Sequence, residues 1–252
     1  MTRSTNPAVH TTATGVLKKL LCASAVGLLA GSAQAATINF DNFFGPVADS
    51  EYIQQSGYDL LFFSNTLGAI PGEDLVGSFI DGSTSQSCSN AACPVNNPTT
   101  YYGALDDSVI GLSMTSGYRF TVKSFDASFI GGDPALENYP AGAGLLRIQG
   151  VLASSGAAVT ETYQLAGPSA AGFNFAHYNT SSAFSRLEFS QVYFYGFACN
   201  GGGGCSAFST DRGQFGIDNI NVEVPEPASF ALFGLGMAGL AFARRRKSSK
   251  SL

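Results

Sequence analysis

Four cysteines in two tight pairs, Cys88 with Cys93 and Cys199 with Cys205, are the side chains best spaced to do chemistry. Their spacers, Ser-Asn-Ala-Ala and Asn-Gly-Gly-Gly-Gly, are flexible enough to let the sulfurs meet. In an oxidising compartment two local disulfides are the natural outcome, although spacing leaves a cross-pairing of the two loops open. The functional rival is a four-thiolate zinc site. Pairs in such sites enclose about two to four residues, whereas the second pair here encloses five. Catalytic groups are sparse. Between residues 36 and 224 the only imidazole is His177, in Phe175-Ala176-His177-Tyr178, a setting that suits a packed or surface residue. No G-x-S-x-G elbow, H-E-x-x-H helix or phosphate-cradling loop is present. Gly201 to Gly204 lies between cysteines and lacks the Lys and hydroxyl of a phosphate site. A two-carboxylate glycosidase assembles its acids in space, so sequence spacing does not reveal one. Asp106-Asp107 reads as a solvated turn. The expectation is a protein without catalytic residues that is not an enzyme.

The elements that hold these residues read as strands. Thr37 to Phe44 opens the series, followed by the apolar run Tyr58 to Ser64. Ser108 to Thr115 and Tyr118 to Val122 flank Ser116-Gly117 as a hairpin would, and Ser124 to Ile130 ends at Gly131-Gly132. Leu145 to Ala153 and Val159 to Leu165 flank Ser154-Ser155-Gly156-Ala157 as a second hairpin. Ser185 to Phe197 alternates, and Gln214 to Val224 places Phe215, Ile217, Ile220, Val222 and Val224 along a closing strand. Nothing in the body sustains a 3.6-residue period with caps. About nine short strands separated by turn signals predict an all-β domain over residues 36–224, an antiparallel β-sandwich of jelly-roll type. Asp81 to Thr100, rich in Ser and Asn, reads as a long surface loop carrying the first cysteine pair.

Both ends carry addresses. Lys18-Lys19, the apolar stretch Leu20 to Gly31 and Ser32-Ala33-Gln34-Ala35 form an n-region, an h-region and an A-x-A site. Residues 1–35 therefore read as a signal peptide, a helix engaged by the secretion machinery and cut by signal peptidase after Ala35. Cys22 is an ordinary apolar residue of that helix. Residues 225–252 read Pro225-Glu226-Pro227, an apolar run from Ala228 to Ala243, then Arg244-Arg245-Arg246-Lys247. The prolines keep the backbone extended and lack amide donors, which leaves the segment open to a processing enzyme. As a transmembrane-type helix the run spans about 24 Å, at the short end for crossing a bilayer. The basic end then stays cytoplasmic. The run has no charged face, so an amphipathic surface helix does not fit, and a permanent anchor is the alternative to a disposable tag.

Between the two ends lie five basic residues, Arg119, Lys123, Arg147, Arg186 and Arg212, against seventeen acids. The body thus carries a net charge of −12, which the whole-chain value of −5 conceals. Nucleic acid is excluded as a partner, because its phosphates need Lys and Arg to replace released counterions. The charge suits an extracellular protein or one that takes up divalent cations. Twenty Phe and ten Tyr, with no Trp, supply an aromatic core.

From Pro225 to about Lys247 the tail resembles the sorting signal of PEP-CTERM proteins, which Gram-negative bacteria export and pass to the membrane protease exosortase. Pro225, Glu226 and Pro227 supply the tripeptide; Arg244, Arg245 and Arg246 supply the basic end. The resemblance implies membrane attachment through the tail and a cut near the tripeptide. Release, or joining to another surface component, then follows at the cell surface or in extracellular matrix. Gln214-Phe215-Gly216-Ile217-Asp218 fits a QFxxD pattern and resembles the subgroup of PEP-CTERM proteins named for it, through Gln214, Phe215 and Asp218. The same strand resembles the closing strand of carbohydrate-binding jelly rolls, where an acid near the last strand and one near the first often share a structural calcium. Asp218 and Asp41 take those places here, with Asn42, Asn219 or backbone carbonyls needed to complete the shell. The alternative is that Asp218 and Asn219 cap a bulge or bond neighbouring backbone. Two functions follow: a non-enzymatic, exosortase-sorted surface or exopolysaccharide-associated matrix protein, and a carbohydrate-binding module. In the second, Tyr101, Tyr102, Tyr139, Tyr193 or Tyr195 would stack on the sugar rings of a polysaccharide.

Overall fold

The structure, a computed structural model, describes residues 34–84, 91–210, 212–225 and 236–237. Of the predicted signal helix only Gln34 and Ala35 are described, as the start of a strand, and of the C-terminal helix only residues 236–237; the basic end, Ala33, Cys88, Glu226 and Pro227 lie outside the described residues. Among the described residues no helix is long and apolar enough to cross a membrane. One compact unit runs Gln34–Pro225.

That unit is built from strands β1 (Gln34–Ile38), β2 (Gly45–Ala48), β3 (Glu51–Gln55), β4 (Tyr58–Ser64), β5 (Leu75–Asp81), β6 (Thr100–Ala104) and β7 (Ser108–Met114). It continues through β8 (Thr121–Phe129), β9 (Gly142–Leu152), β10 (Ala158–Ala166), β11 (Ala176–Asn179), β12 (Phe189–Cys199), β13 (Cys205–Ser206) and β14 (Phe215–Val224). The first sheet has the order β11-β8-β14-β6-β5-β2, with β1 also paired to β14. The second has the order β10-β9-β12-β7-β4-β3, with β13 on β12. All these pairings are antiparallel, so the fold is a two-sheet β-sandwich.

Alternation decides which face of each strand enters the core. On β12, Phe189, Val192 and Phe194 are fully buried, while Tyr193, Tyr195 and Phe197 point outward and are half-buried. Rings lock the sheets together. Phe62 of the second sheet sits 4.4 Å from Tyr102 and 5.9 Å from Phe79 of the first. Phe125 of the first sheet meets Phe194 of the second at 6.0 Å. Tilted and edge-on contacts of this kind add to the area that the rings bury.

Two expectations need correction. The run Ser108 to Thr115 does not form a hairpin with the strand after Ser116-Gly117. Both edges of β7 are taken by β4 and β12, and both edges of β8 by β11 and β14, so the turn crosses between sheets instead. The opening strand is also shifted. β1 ends at Ile38, and a turn at Asp41-Asn42 replaces the second half of the predicted Thr37 to Phe44 strand. The second hairpin, β9 to β10, forms as expected, with Ala158 opposite Val151.

The predicted cut after Ala35 falls inside β1, where Gln34 faces Val224 and Ala35 faces Glu223. A chain cut there keeps Ala36–Ile38 and loses the rung that covers the end of β14. The Val224 amide should therefore exchange faster in a chain beginning at Ala36 than in one beginning at Gln34. Equal protection, measured by hydrogen–deuterium exchange, would mean that those two residues do not close the sheet.

Candidate functional site

Cys199 ends β12 and Cys205 begins β13, and the two are joined by a disulfide with Cα atoms 4.0 Å apart. The loop between them folds around Asn200, whose Oδ1 accepts from the Gly202 and Gly204 amides at 3.0 Å each. Cys93 is disulfide-bonded as well, to a partner outside the described residues. This bonding excludes both the four-thiolate zinc site and a cross-pairing that uses Cys199 or Cys205.

Asp218 lies on the outward side of β14 yet is fully buried, because the segment 91–99 crosses over it. Its Oδ2 accepts from Asn97 Nδ2 at 2.9 Å, with the Thr99 hydroxyl at 3.2 Å, and its Oδ1 accepts from the Asn219 amide at 2.8 Å. The orientation of Asn97 is fixed, since its oxygen accepts from the Thr99 backbone N–H, which can only donate. Asn219 has a positive φ of 49° where the register of β14 shifts against β8. That is a bulge, placed where β14 changes neighbours from β6, at Ile217, to β1, at Ile220. The alternative reading of Asp218 and Asn219, a capped bulge, describes what forms.

Asp41, by contrast, is exposed and accepts from Asn39 Nδ2 at 2.9 Å. Burial raises the Asp218 pKa, its hydrogen bonds oppose the rise, and the Asp41 charge adds a small push upward. Among the described residues no group of three or more His, Cys, Asp or Glu is placed to hold a metal. Amide and hydroxyl donors occupy Asp218 where calcium would require oxygen lone pairs from its neighbours.

The rest of the QFxxD strand serves packing. Phe215 is fully buried in the main core, and the Gln214 carbonyl accepts from the Ile130 amide at 3.2 Å. Gly216 leaves space for Phe175 and Tyr101, whose ring atoms would lie 2.9 Å and 3.2 Å from an added Cβ. These rings belong to a second small cluster with Ile80 and Ile130 on the outer face of the first sheet. Asn96 closes it by bonding both the amide and the carbonyl of Phe175, at 2.6 Å and 3.0 Å. Thus the segment 91–99 of the polar loop is a cover for this face.

His177 on β11 stands opposite Asp126 on β8, and its Nδ1 lies 2.7 Å from Asp126 Oδ1. Asp126 Oδ2 accepts from Asn219 Nδ2 at 2.8 Å, which connects the imidazole to the Asp218 cluster. Sequence reasoning missed this link. The available signal was Asp126, an acid at an outward position of a strand, but its partner strand β11 carries no apolar alternation to reveal it.

The five candidate tyrosines separate. Tyr101 and Tyr102 are buried, so neither can stack on a sugar ring. Tyr139 packs edge-on against Phe129 and Phe173. Tyr193 and Tyr195 face outward from the second sheet and are half-buried. Tyr195 meets Phe208 at 5.3 Å and Phe197 at 5.7 Å, and Tyr193 meets Phe63 at 6.3 Å. The Arg147 guanidinium lies 4.6 Å over the Phe197 ring.

Residues 223–247 match the family described as the PEP-CTERM protein-sorting motif, which indicates an exported protein held by its C-terminus before processing. No curated protein matches the chain. Among solved structures, the chain is similar to a DUF4465 family protein from Bacteroides ovatus. The identity is 8% and the TM-score 0.39, over 76% of this chain and 99% of that one. It is similar also to the N-terminal CBM22-1–CBM22-2 tandem domain from Paenibacillus barcinonensis. There the identity is 9% and the TM-score 0.34, over 79% of this chain and 49% of that one. A third similar structure is CBM27-1 from Caldicellulosiruptor saccharolyticus in complex with mannohexaose, at 10% identity and a TM-score of 0.27. That likeness covers 78% of this chain and 100% of that one. Likenesses this distant carry no inference about ligand or activity.

Proposed function

We propose that this chain is a non-enzymatic surface or matrix protein, exported by the secretion machinery and sorted by an exosortase-type protease. The observation that carries this reading is the sorting-motif match over residues 223–247, which starts on the last two residues of β14. The signal peptide is cut after Ala35, and the apolar helix of the tail holds the chain in the membrane. The protease then cuts near Pro225-Glu226-Pro227 and leaves the sandwich at the cell surface or in an exopolysaccharide matrix. The likeness of Gln214, Phe215 and Asp218 to the QFxxD pattern supports the subgroup named for it. Deleting residues 225–252 should abolish surface display, with the folded body recovered from the periplasm or medium of the native host. Surface display undiminished by the deletion, scored by fractionation and immunoblotting, would refute the reading.

A second reading, a carbohydrate-binding module of jelly-roll type, is favoured by one observation. Tyr193 and Tyr195 stand half-buried on the outer face of the second sheet. The two readings are compatible, since a matrix protein gains retention by holding the matrix polymer.

A further inference from the structure

We infer that the outer face of the second sheet is a docking platform for a neutral polysaccharide, with Tyr193 and Tyr195 as its stacking rings; this rests on the second reading above. The strand register lays the face out in rows. One row runs Leu61, Gly111, Tyr193, Gln149 and Thr160 across β4, β7, β12, β9 and β10. The next runs Phe63, Val109, Tyr195, Arg147 and Thr162. The opposite phase of the same strands holds core residues such as Leu60, Leu112, Val192 and Ile148, so these rows face outward.

The rows mix aromatic rings with amides and hydroxyls. Tyr193 Oη donates to Gln191 Oε1 at 2.6 Å and Tyr195 Oη to Gln149 Oε1 at 3.4 Å. Each ring is thereby held from its polar tip while its carbon framework lies along the face. Tyr193 reaches across β7, where an added Cβ on Gly111 would sit 3.4 Å from its ring. With each glutamine oxygen engaged, the glutamine N–H groups are the donors that a ligand hydroxyl would meet. Sugar rings offer the complement, with C–H faces for the tyrosines and hydroxyls for the amides.

Charge selects the occupant. The outward positions of these five strands carry only two charged side chains, Asp59 and Arg147, and both are engaged within the protein. Asp59 accepts from Gln54 and Thr115, while Arg147 bonds the Thr162 hydroxyl and covers Phe197. The face is therefore neutral in a body that carries −12. A second copy of the chain would bring an equal negative charge against it, and an anionic polymer or membrane would be repelled in the same way. An uncharged, hydroxyl-rich chain meets neither obstacle.

The test is affinity gel electrophoresis of the processed protein, purified from its host. Soluble β-glucan, xylan, galactan and mannan are the probes, with alginate as the anionic control. At least one neutral polymer should retard the protein and alginate should not. Tyr193→Ala with Tyr195→Ala should weaken retardation about tenfold. Gln149→Ala, which keeps both rings and removes only the amide and the tether of the Tyr195 hydroxyl, should weaken it less, and circular dichroism should show all variants folded. Retardation that survives these substitutions overturns the platform but leaves a carbohydrate-binding module standing. No retardation by any neutral polymer overturns both. A dimer that the tyrosine substitutions dissociate would assign the face to a second copy and overturn the proposal.

Discussion

Phe62→Ala should cost about 3–5 kcal/mol of stability, the upper range for truncating a buried ring. Phe62 is fully buried and reaches across the sandwich to Tyr102 and Phe79. The neighbours cannot relax into the space it leaves. The Tyr102 hydroxyl donates to the Val76 carbonyl at 3.1 Å and lies 3.1 Å from Ser108 Oγ, which pins that ring where it is. The cavity should therefore persist, and for a domain of this size the melting temperature should fall by about 6–20 °C. Tyr118→Ala is the control: this tyrosine is 69% exposed, and exposed substitutions of this kind stay within about 0.5 kcal/mol. A Phe62→Ala melting curve that shifts no more than that of Tyr118→Ala would show that rings across the sheets do not hold this sandwich together.

The sandwich was legible where one strand shows one buried face. Phe215, Ile217, Ile220 and Val222 mark β14 without ambiguity, and Ser155-Gly156 marks the β9–β10 hairpin because its strands pair locally. Local signals fail where partners are remote. Nothing near Ser116-Gly117 states that β7 already has two neighbours, and β11 is four residues long with a mostly exposed surface. The small strands β2 and β3 likewise gain their identity from pairing with β5 and β4.

The site was legible in its residues and illegible in its contacts. Asp218 is conspicuous as an acid on the closing strand, and the resemblance of that strand to those of carbohydrate-binding jelly rolls is what raises the expectation of a cation there. Asn97 and Thr99, the residues that meet it, stand more than 115 positions away in a loop without periodicity. Tyr101 and Tyr102 show the same limit. Alternation predicts that one of two adjacent tyrosines faces outward, and Tyr101 does. The loop segment and Phe175 then bury it.

Asp218→Ala should be the most damaging single change outside the main core. It removes the acceptor from the buried Asn97 side-chain N–H, while the Thr99 hydroxyl keeps Asn97 Oδ1 at 2.6 Å; one buried donor left unpaired costs about 1–3 kcal/mol. The loss should also be local, with the segment 91–99 cut by proteases under conditions that leave the wild type intact. Asp218→Asn separates charge from shape. Burial raises the Asp218 pKa above 3.8 despite the bonds that oppose it, so the folded protein holds this proton more tightly than the unfolded chain. Between the unfolded and folded values the native state carries the extra proton, and stability from this group falls as pH rises. The stability advantage of wild type over Asp218→Asn should therefore shrink from about pH 4 to pH 7. An advantage that grows over that range would mean that the donors outweigh burial. Thermal melts with and without a chelator complete the case. An unchanged wild-type melting temperature is expected of a carboxylate held by N–H and O–H donors. A fall on chelation that Asp218→Asn abolishes would return this residue to the role of a calcium ligand with Asp41.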